Sequence, residues 1–298
     1  MTRTLTPFPV SANVQIPTAL AEQLLRAAEQ QPLYDNQEFY SPALQTLVFE
    51  HVREACADGF DWLVNEIKQR LSERPYAALV RGLRFDTGNK LLVAINRAFG
   101  ELVARPYEKP RAQLIQYIQP ATDMPSARGG RESERLHTDT ADWEIPVELI
   151  SMQCVHPDAG GGGHSRILDL DSVREEVRTR LGEEVLGLLQ SQAVPWQLAS
   201  YCGGGVKWRT VLTESSMCWR RYTIELALTS NGARIGKEII NLLDAFEQTI
   251  SASTRTIDFL MREGELLFSD NRRTIHARTP IVDCDTANRL MLRSWIRN

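Results

Sequence analysis

Apolar residues recur every three to four positions in the first third of the chain. Leu20, Leu24, Leu25 and Ala28 share one face over residues 18–31, which predicts a helix capped by Thr18. Further helical patterns run over 41–71 and 90–103, and a short strand is expected at 76–83, where Ala78, Val80 and Leu83 sit among few breakers. After residue 110 the pattern shortens. Strands are expected at 112–118, 147–155, 165–170, 196–201, 206–212, 218–226, 266–278 and 289–296, separated by turns rich in Gly or Ser. Two helices interrupt them, at 172–191 and 236–263; the latter carries Ile239, Leu243, Phe246, Ile250, Ile257 and Leu260 on or near one face. Many short strands with glycine turns suggest a β-barrel or jelly roll, with the helices packed outside it.

The polar stretches punctuate this pattern without dividing it. Residues 160–163 are four consecutive glycines. Residues 121–135 are rich in Ser, Gly, Pro and charge, and read either as an ordinary surface loop or as a lid. No Pro/Ser-rich linker appears, so one domain is expected over 1–298, with a helix-rich part up to about residue 110. At 298 residues, 43% hydrophobic and 24% charged, the chain has ample material for a core and the composition of a globular protein. The net charge of −4 argues against a nucleic-acid partner. No apolar run reaches the roughly 18 residues of a membrane span, and the start lacks the apolar segment of a secretory signal. Five scattered cysteines (Cys56, Cys154, Cys202, Cys218 and Cys284) lack zinc-site or redox spacing, which predicts reduced thiols and a cytoplasmic location.

Candidate chemistry centres on His137-Thr138-Asp139 and a distant His276. If 137–139 is extended, His137 and Asp139 point to one side and can approach one metal together. Two His and one carboxylate on one face of an ion leave its other positions open, the arrangement of non-haem iron(II) oxygenases. His51 reads as a surface helix residue, His156 as a turn residue, and His164 as a loop residue and a rival ligand. The closing strand places Arg289, Met291, Arg293 and Trp295 on one face and Leu290, Leu292 and Ile296 on the other. Arginines inside a barrel need an anion to meet them, whereas on a wet face they need nothing.

Together these segments carry a resemblance. His137-Thr138-Asp139, Gly162-Gly163-His164-Ser165, the block Asp270-Asn271-Arg272 to His276-Ala277-Arg278, and Arg289 four residues before Arg293 resemble the iron(II)/2-oxoglutarate dioxygenases of the taurine dioxygenase superfamily. The C-terminal block is most similar to the clavaminate synthase and amino-acid hydroxylase branch. The resemblance implies a double-stranded β-helix, a jelly roll related to cupins. It implies that His137, Asp139 and His276 hold Fe(II), and that Arg289 pairs with the remote carboxylate of 2-oxoglutarate. Ser165 would add a hydrogen bond to that cosubstrate, and Arg293 would face the C1 carboxylate or the substrate. The implied reaction is O2-dependent hydroxylation, desaturation or cyclisation of a small molecule, with release of succinate and CO2. Free or carrier-bound amino acids are the favoured substrates, with a sulfonate, an aryloxy acid or a natural-product biosynthetic intermediate left open, and a homo-oligomer, dimer or tetramer, is the usual assembly of that superfamily. Ala277 departs from the Gly common in that branch, and Asp139 from its frequent Glu; a carboxylate there argues against halogenation.

For substrate contacts, Gln116, Trp143, Glu144 and Arg278 are candidates, with Arg128, Tyr201 and Trp208 as further pocket residues. Trp143 reads equally as core, and Glu144 as a solvated charge. Two other readings use the same residues. One is a zinc or other divalent-metal hydrolase, for which Glu144 is the obvious general base. The other is a cupin-like binding protein without catalysis.

Overall fold

The structure, a computed structural model, describes residues 7–104, 114–120, 134–282 and 289–298. Its main sheet follows the order β1 (Asn13–Gln15), β2 (Ala77–Arg81), β10 (Leu266–Asp270), β5 (Leu149–His156), β12 (Leu290–Arg297) and β3 (Glu101–Val103), and β4 (Ile115–Ile118) also pairs with β12. The β1–β2 pair is parallel and the remaining ladders are antiparallel. A smaller antiparallel sheet holds β6 (Ser165–Asp169) between β11 (Thr274–Arg278) and β9 (Ile257–Phe259). A hairpin of β7 (Val194–Gln197) and β8 (Val206–Arg209) stands apart.

Alternation along the strands divides two cores from one cavity. On the main sheet, Leu266, Phe268, Leu292 and Ile296 pack beneath α1 (Thr18–Glu29), α2 (Pro42–Ser72) and α3 (Lys90–Arg97). Their neighbours Leu267, Ser269 and Arg293 face the other way, into a cavity. The small sheet turns Leu168 and Ile275 toward a second core built with α4 (Leu170–Leu181), α5 (Glu183–Ser191), α6 (Arg221–Ser230) and α7 (Lys237–Ser251). Its His276 and Ser165 face the same cavity, which lies between the sheets. The fold is therefore a mixed helix-and-sheet one. It departs from the mainly β expectation because helices hold more of the described residues than strands do.

Several elements differ from the sequence pattern. Residues 221–230 form α6 instead of a strand, because Ile224 and Leu228, four apart on one helical face, pack in the second core. The expected helix over 236–263 stops at Ser251, and Ile257 begins β9. The helix over 172–191 breaks at Gly182, whose φ of 96° separates α4 from α5. Residues 266–278 are two strands, with Asn271, Arg272 and Arg273 in the turn between them. Thr18 begins α1 but does not cap it; Pro17 occupies that position.

Candidate active site

Backbone pairing brings the distant histidines together. The His137 N–H donates to the His276 carbonyl at 2.9 Å, and the His276 N–H donates back at 2.8 Å, an isolated antiparallel bridge. The imidazole centroids lie 4.5 Å apart. Residues 137–139 are not the extended strand that the spacing suggested. After the bridge the chain turns, with Thr140 at φ 53°. Asn271 holds that turn: its Oδ1 accepts from the Asp139 N–H at 2.8 Å, and its Nδ2 donates to the Asp139 and Val147 carbonyls at 3.0 and 2.8 Å. Asp139 thus reaches the histidines from a turn pinned to the β10–β11 connection.

The two oxygens of Asp139 are in different surroundings. Oδ2 accepts from Arg293 Nη1 at 2.9 Å and from the Trp295 indole at 2.8 Å. Oδ1 faces His137 Nε2 at 3.6 Å, His276 Nε2 at 3.8 Å and Arg220 Nη1 at 4.0 Å. Burial works to raise the Asp139 pKa, but Arg293 and the two imidazoles outweigh it and hold the group well below the usual carboxylate range. Burial, with His137 beside it, lowers the His276 pKa to about 3, so this ring is a neutral donor at physiological pH. His137 Nδ1 lies 2.8 Å from the Arg135 carbonyl, which orients the ring with Nε2 toward Asp139. One atom from each residue lies within 4.8 Å of the others. Two imidazole nitrogens and one carboxylate oxygen suit a divalent ion with open positions.

The cavity encloses about 1170 Å³. Arg289 lies in its wall, 4% exposed, and Gly163 makes room for it: a Cβ on Gly163 would sit 2.8 Å from Arg289 Nε. Gly163 has φ 66°, so both space and backbone call for glycine. Burial, then the neighbouring Arg278, lowers the Arg289 pKa to about 10, which leaves it a full cation at neutral pH. Ser165 and Arg278, partners in the β6–β11 register, line the same wall.

Residues 57–295 match the family model described as taurine catabolism dioxygenase TauD, TfdA family. The chain belongs to this dioxygenase family. An asparagine oxygenase solved in complex with Fe(II), 2S,3S-3-hydroxyasparagine and succinate is similar in fold, with a TM-score of 0.78 at 15% identity over 96% of this chain and 93% of that one. The non-heme iron oxygenase OrfP, solved with Fe and alpha-ketoglutaric acid, has a TM-score of 0.73 at 15% identity over 96% and 94%. OrfP with Fe, succinate and (3R,4R)-dihydroxy-L-Arg has a TM-score of 0.72 at 15% identity over the same shares. No curated protein matches the chain.

Within this TauD/TfdA-family site, the other expected residues divide. Arg293 lies in the cavity, but it holds the Asp139 carboxylate, not an open anion position. Gln116 is one step behind it, its Oε1 accepting from Arg293 Nη2 at 2.7 Å, and does not line the cavity. Trp143 is 5% exposed and packs edge-on to Trp295 and Tyr201, so it is core. Glu144 faces outward in an ion pair with Lys207. Both lie just past the triad in sequence, but the turn at Thr140 carries them away from the cavity. His164 does not join the three clustered residues: its Nδ1 is 3.2 Å from Asp258 Oδ1 and its Nε2 2.9 Å from the Gly161 carbonyl. His51 is half-buried, not a surface residue, because α2 turns it toward the helical layer. His156 ends β5 as expected. Tyr201 lines the cavity, whereas Trp208 does not and is 49% exposed. Arg128 and most of the 121–135 segment lie outside the described residues.

Sequence reasoning missed three contributors. Trp295 and Arg220 reach Asp139, and Asp142 lines the cavity. Trp295 was legible as a neighbour of Arg293 at period two. Arg220 and Asp142 carried no local signal, because a helix start and a turn bring them in.

Proposed function

We propose that this chain is an iron(II)- and 2-oxoglutarate-dependent hydroxylase of a small amino-acid substrate. The convergence of His137 Nε2, His276 Nε2 and Asp139 Oδ1, with Asp139 Oδ2 already engaged by Arg293 and Trp295, carries this reading. These three residues would hold the iron. When bound, the metal supplies oxygen activation coupled to conversion of 2-oxoglutarate to succinate and CO2. The chain supplies the geometry. Arg293 and Trp295 occupy one oxygen of Asp139 and orient the other. Arg289, a buried cation, meets the remote carboxylate of 2-oxoglutarate, and Ser165 adds a hydrogen bond beside it.

Family membership supports the reaction class. The amino-acid products in the asparagine oxygenase and OrfP structures support the substrate class. We read the two facing sheets as a double-stranded β-helix and the whole chain as one domain, since the family match runs from α2 into β12. No described helix is long and apolar enough to cross a membrane. Four described cysteines are free thiols, which fits the expected cytoplasmic location. The hydrolase reading loses its general base, because Glu144 faces away from the site.

The test is an anaerobic titration of the metal-free protein with iron(II) and 2-oxoglutarate. A weak visible charge-transfer band is expected, and it should vanish in a folded His276→Ala variant. A protein that binds zinc tightly but never develops the band contradicts the proposal.

A further inference from the structure

One carboxylate on the cavity wall is not used by the metal site. Asp142 lies three residues past Asp139, in the same turn. Its Oδ1 is shielded from solvent and has no hydrogen-bond partner. Its Oδ2 receives only a long bond, 3.5 Å, from the Tyr201 hydroxyl. Among the described residues, no ion pair reaches this carboxylate. The carboxylate lines the cavity with one long hydrogen bond from the described residues, so a group that arrives there with a proton and a positive charge meets an under-satisfied acceptor.

The placement is rigid. The Asp142 carbonyl accepts from the Ala199 N–H at 2.8 Å. Arg209 Nη2 donates to the carbonyls on either side, Ala141 at 3.2 Å and Trp143 at 3.0 Å. Tyr201 is itself fixed by the Trp143 indole, which donates to its hydroxyl at 2.8 Å. Ordering costs at this wall are therefore met on folding and not on binding.

We propose that Asp142, with Tyr201 beside it, is the specificity-determining anchor for the ammonium group of the substrate. The inference rests on the amino-acid hydroxylase reading and sharpens it: the substrate carries a free amino group, and an N-acylated residue, such as one inside a peptide, is excluded. Loss of the positive charge leaves Asp142 facing a neutral amide, so discrimination should be steep.

The experiment uses the full chain loaded anaerobically with iron(II) and 2-oxoglutarate. The twenty protein amino acids and their N-acetyl derivatives are each titrated against the charge-transfer band, and then assayed for succinate release in air. At least one free amino acid should perturb the band and drive succinate release, while its N-acetyl derivative does neither. Asp142→Asn should need at least tenfold more of that amino acid, with KM rising more than kcat falls. Asp142→Glu, which keeps the charge, should recover part of the loss. Equal response to the acetylated compound, wild-type titration by Asp142→Asn, or no response to any free amine overturns the assignment while the metal reading stands. Failure to form the band at all overturns the metal reading and this inference with it.

Discussion

At the scale of single residues, Arg289 is the decisive cation. Replacing it by Gln removes a charge-assisted bond of about 1.5–3 kcal/mol, so the 2-oxoglutarate requirement should rise roughly 10- to 100-fold. Initial rates against 2-oxoglutarate concentration measure this directly. An unchanged requirement would move the role to Arg278, its neighbour on the cavity wall. The charge also sets a pH dependence. Burial and Arg278 bring the Arg289 pKa down to about 10, so the guanidinium is protonated throughout the neutral range. Raising the pH removes its charge only near 10, where binding of the dianion should weaken. Affinity for 2-oxoglutarate, followed by the charge-transfer band, is therefore expected to stay flat from about pH 7 to 9. A fall centred near pH 8 would place recognition on a different group. Trp295→Phe keeps the ring but deletes the donor to Asp139 Oδ2. Iron(II) affinity should fall by roughly 10- to 100-fold, the usual cost of losing a partner behind a ligand.

Elements place these residues, and two glycines of one run separate fit from flexibility. Gly163→Ala puts a methyl group against Arg289, whereas Gly161, at φ 75°, has open space around the same position. Both substitutions carry backbone strain of about 1 kcal/mol. Only Gly163→Ala should also raise the 2-oxoglutarate requirement, which kinetics on the paired variants can read. Equal behaviour of the two would mean that the close approach to Arg289 is inconsequential. The triad was legible because His137, Asp139 and His276 have a recognisable order and chemistry. The Arg289/Arg293 strand was legible because period two holds along β12. What failed was nearness in sequence to Asp139: the turn at Thr140 buries Trp143 and turns Glu144 outward, and nothing local announces a positive φ on a threonine. Residues 218–226, with Trp219, Tyr222, Thr223 and Ile224, read locally as strand; packing against the second core decides for helix from Arg221 onward. Arg220 enters the site at the start of that helix, and for the same reason could not be foreseen.

For the whole molecule, the site joins the two sheets. Arg289 and Arg293 come from the β12 segment, His276 from the small sheet, and Asn271 ties the Asp139 turn to the β10–β11 connection. Ligands that bind across this seam should stabilise the fold as a unit. Iron(II) with 2-oxoglutarate at a hundred times its dissociation constant contributes about 2.7 kcal/mol, a rise in Tm of roughly 3–6 °C by calorimetry. The rise should be absent in Asp139→Ala. A comparable rise in that variant would place binding elsewhere.

The bridge between His137 and His276 has a consequence for how such a catalyst can be altered. Two of the three candidate ligands are spaced by main-chain hydrogen bonds, which no side-chain substitution removes. The opposite wall is built from the β7–β8 hairpin region and α6. Chassis and interchangeable face are thus separate pieces of chain. Libraries that randomise 197–201 with Tyr222 and Leu226, sparing the core residue Ile224, should yield enzymes with new appetites and an intact metal-loading capacity, so that selection can explore chemistry on one side without breaking the engine on the other.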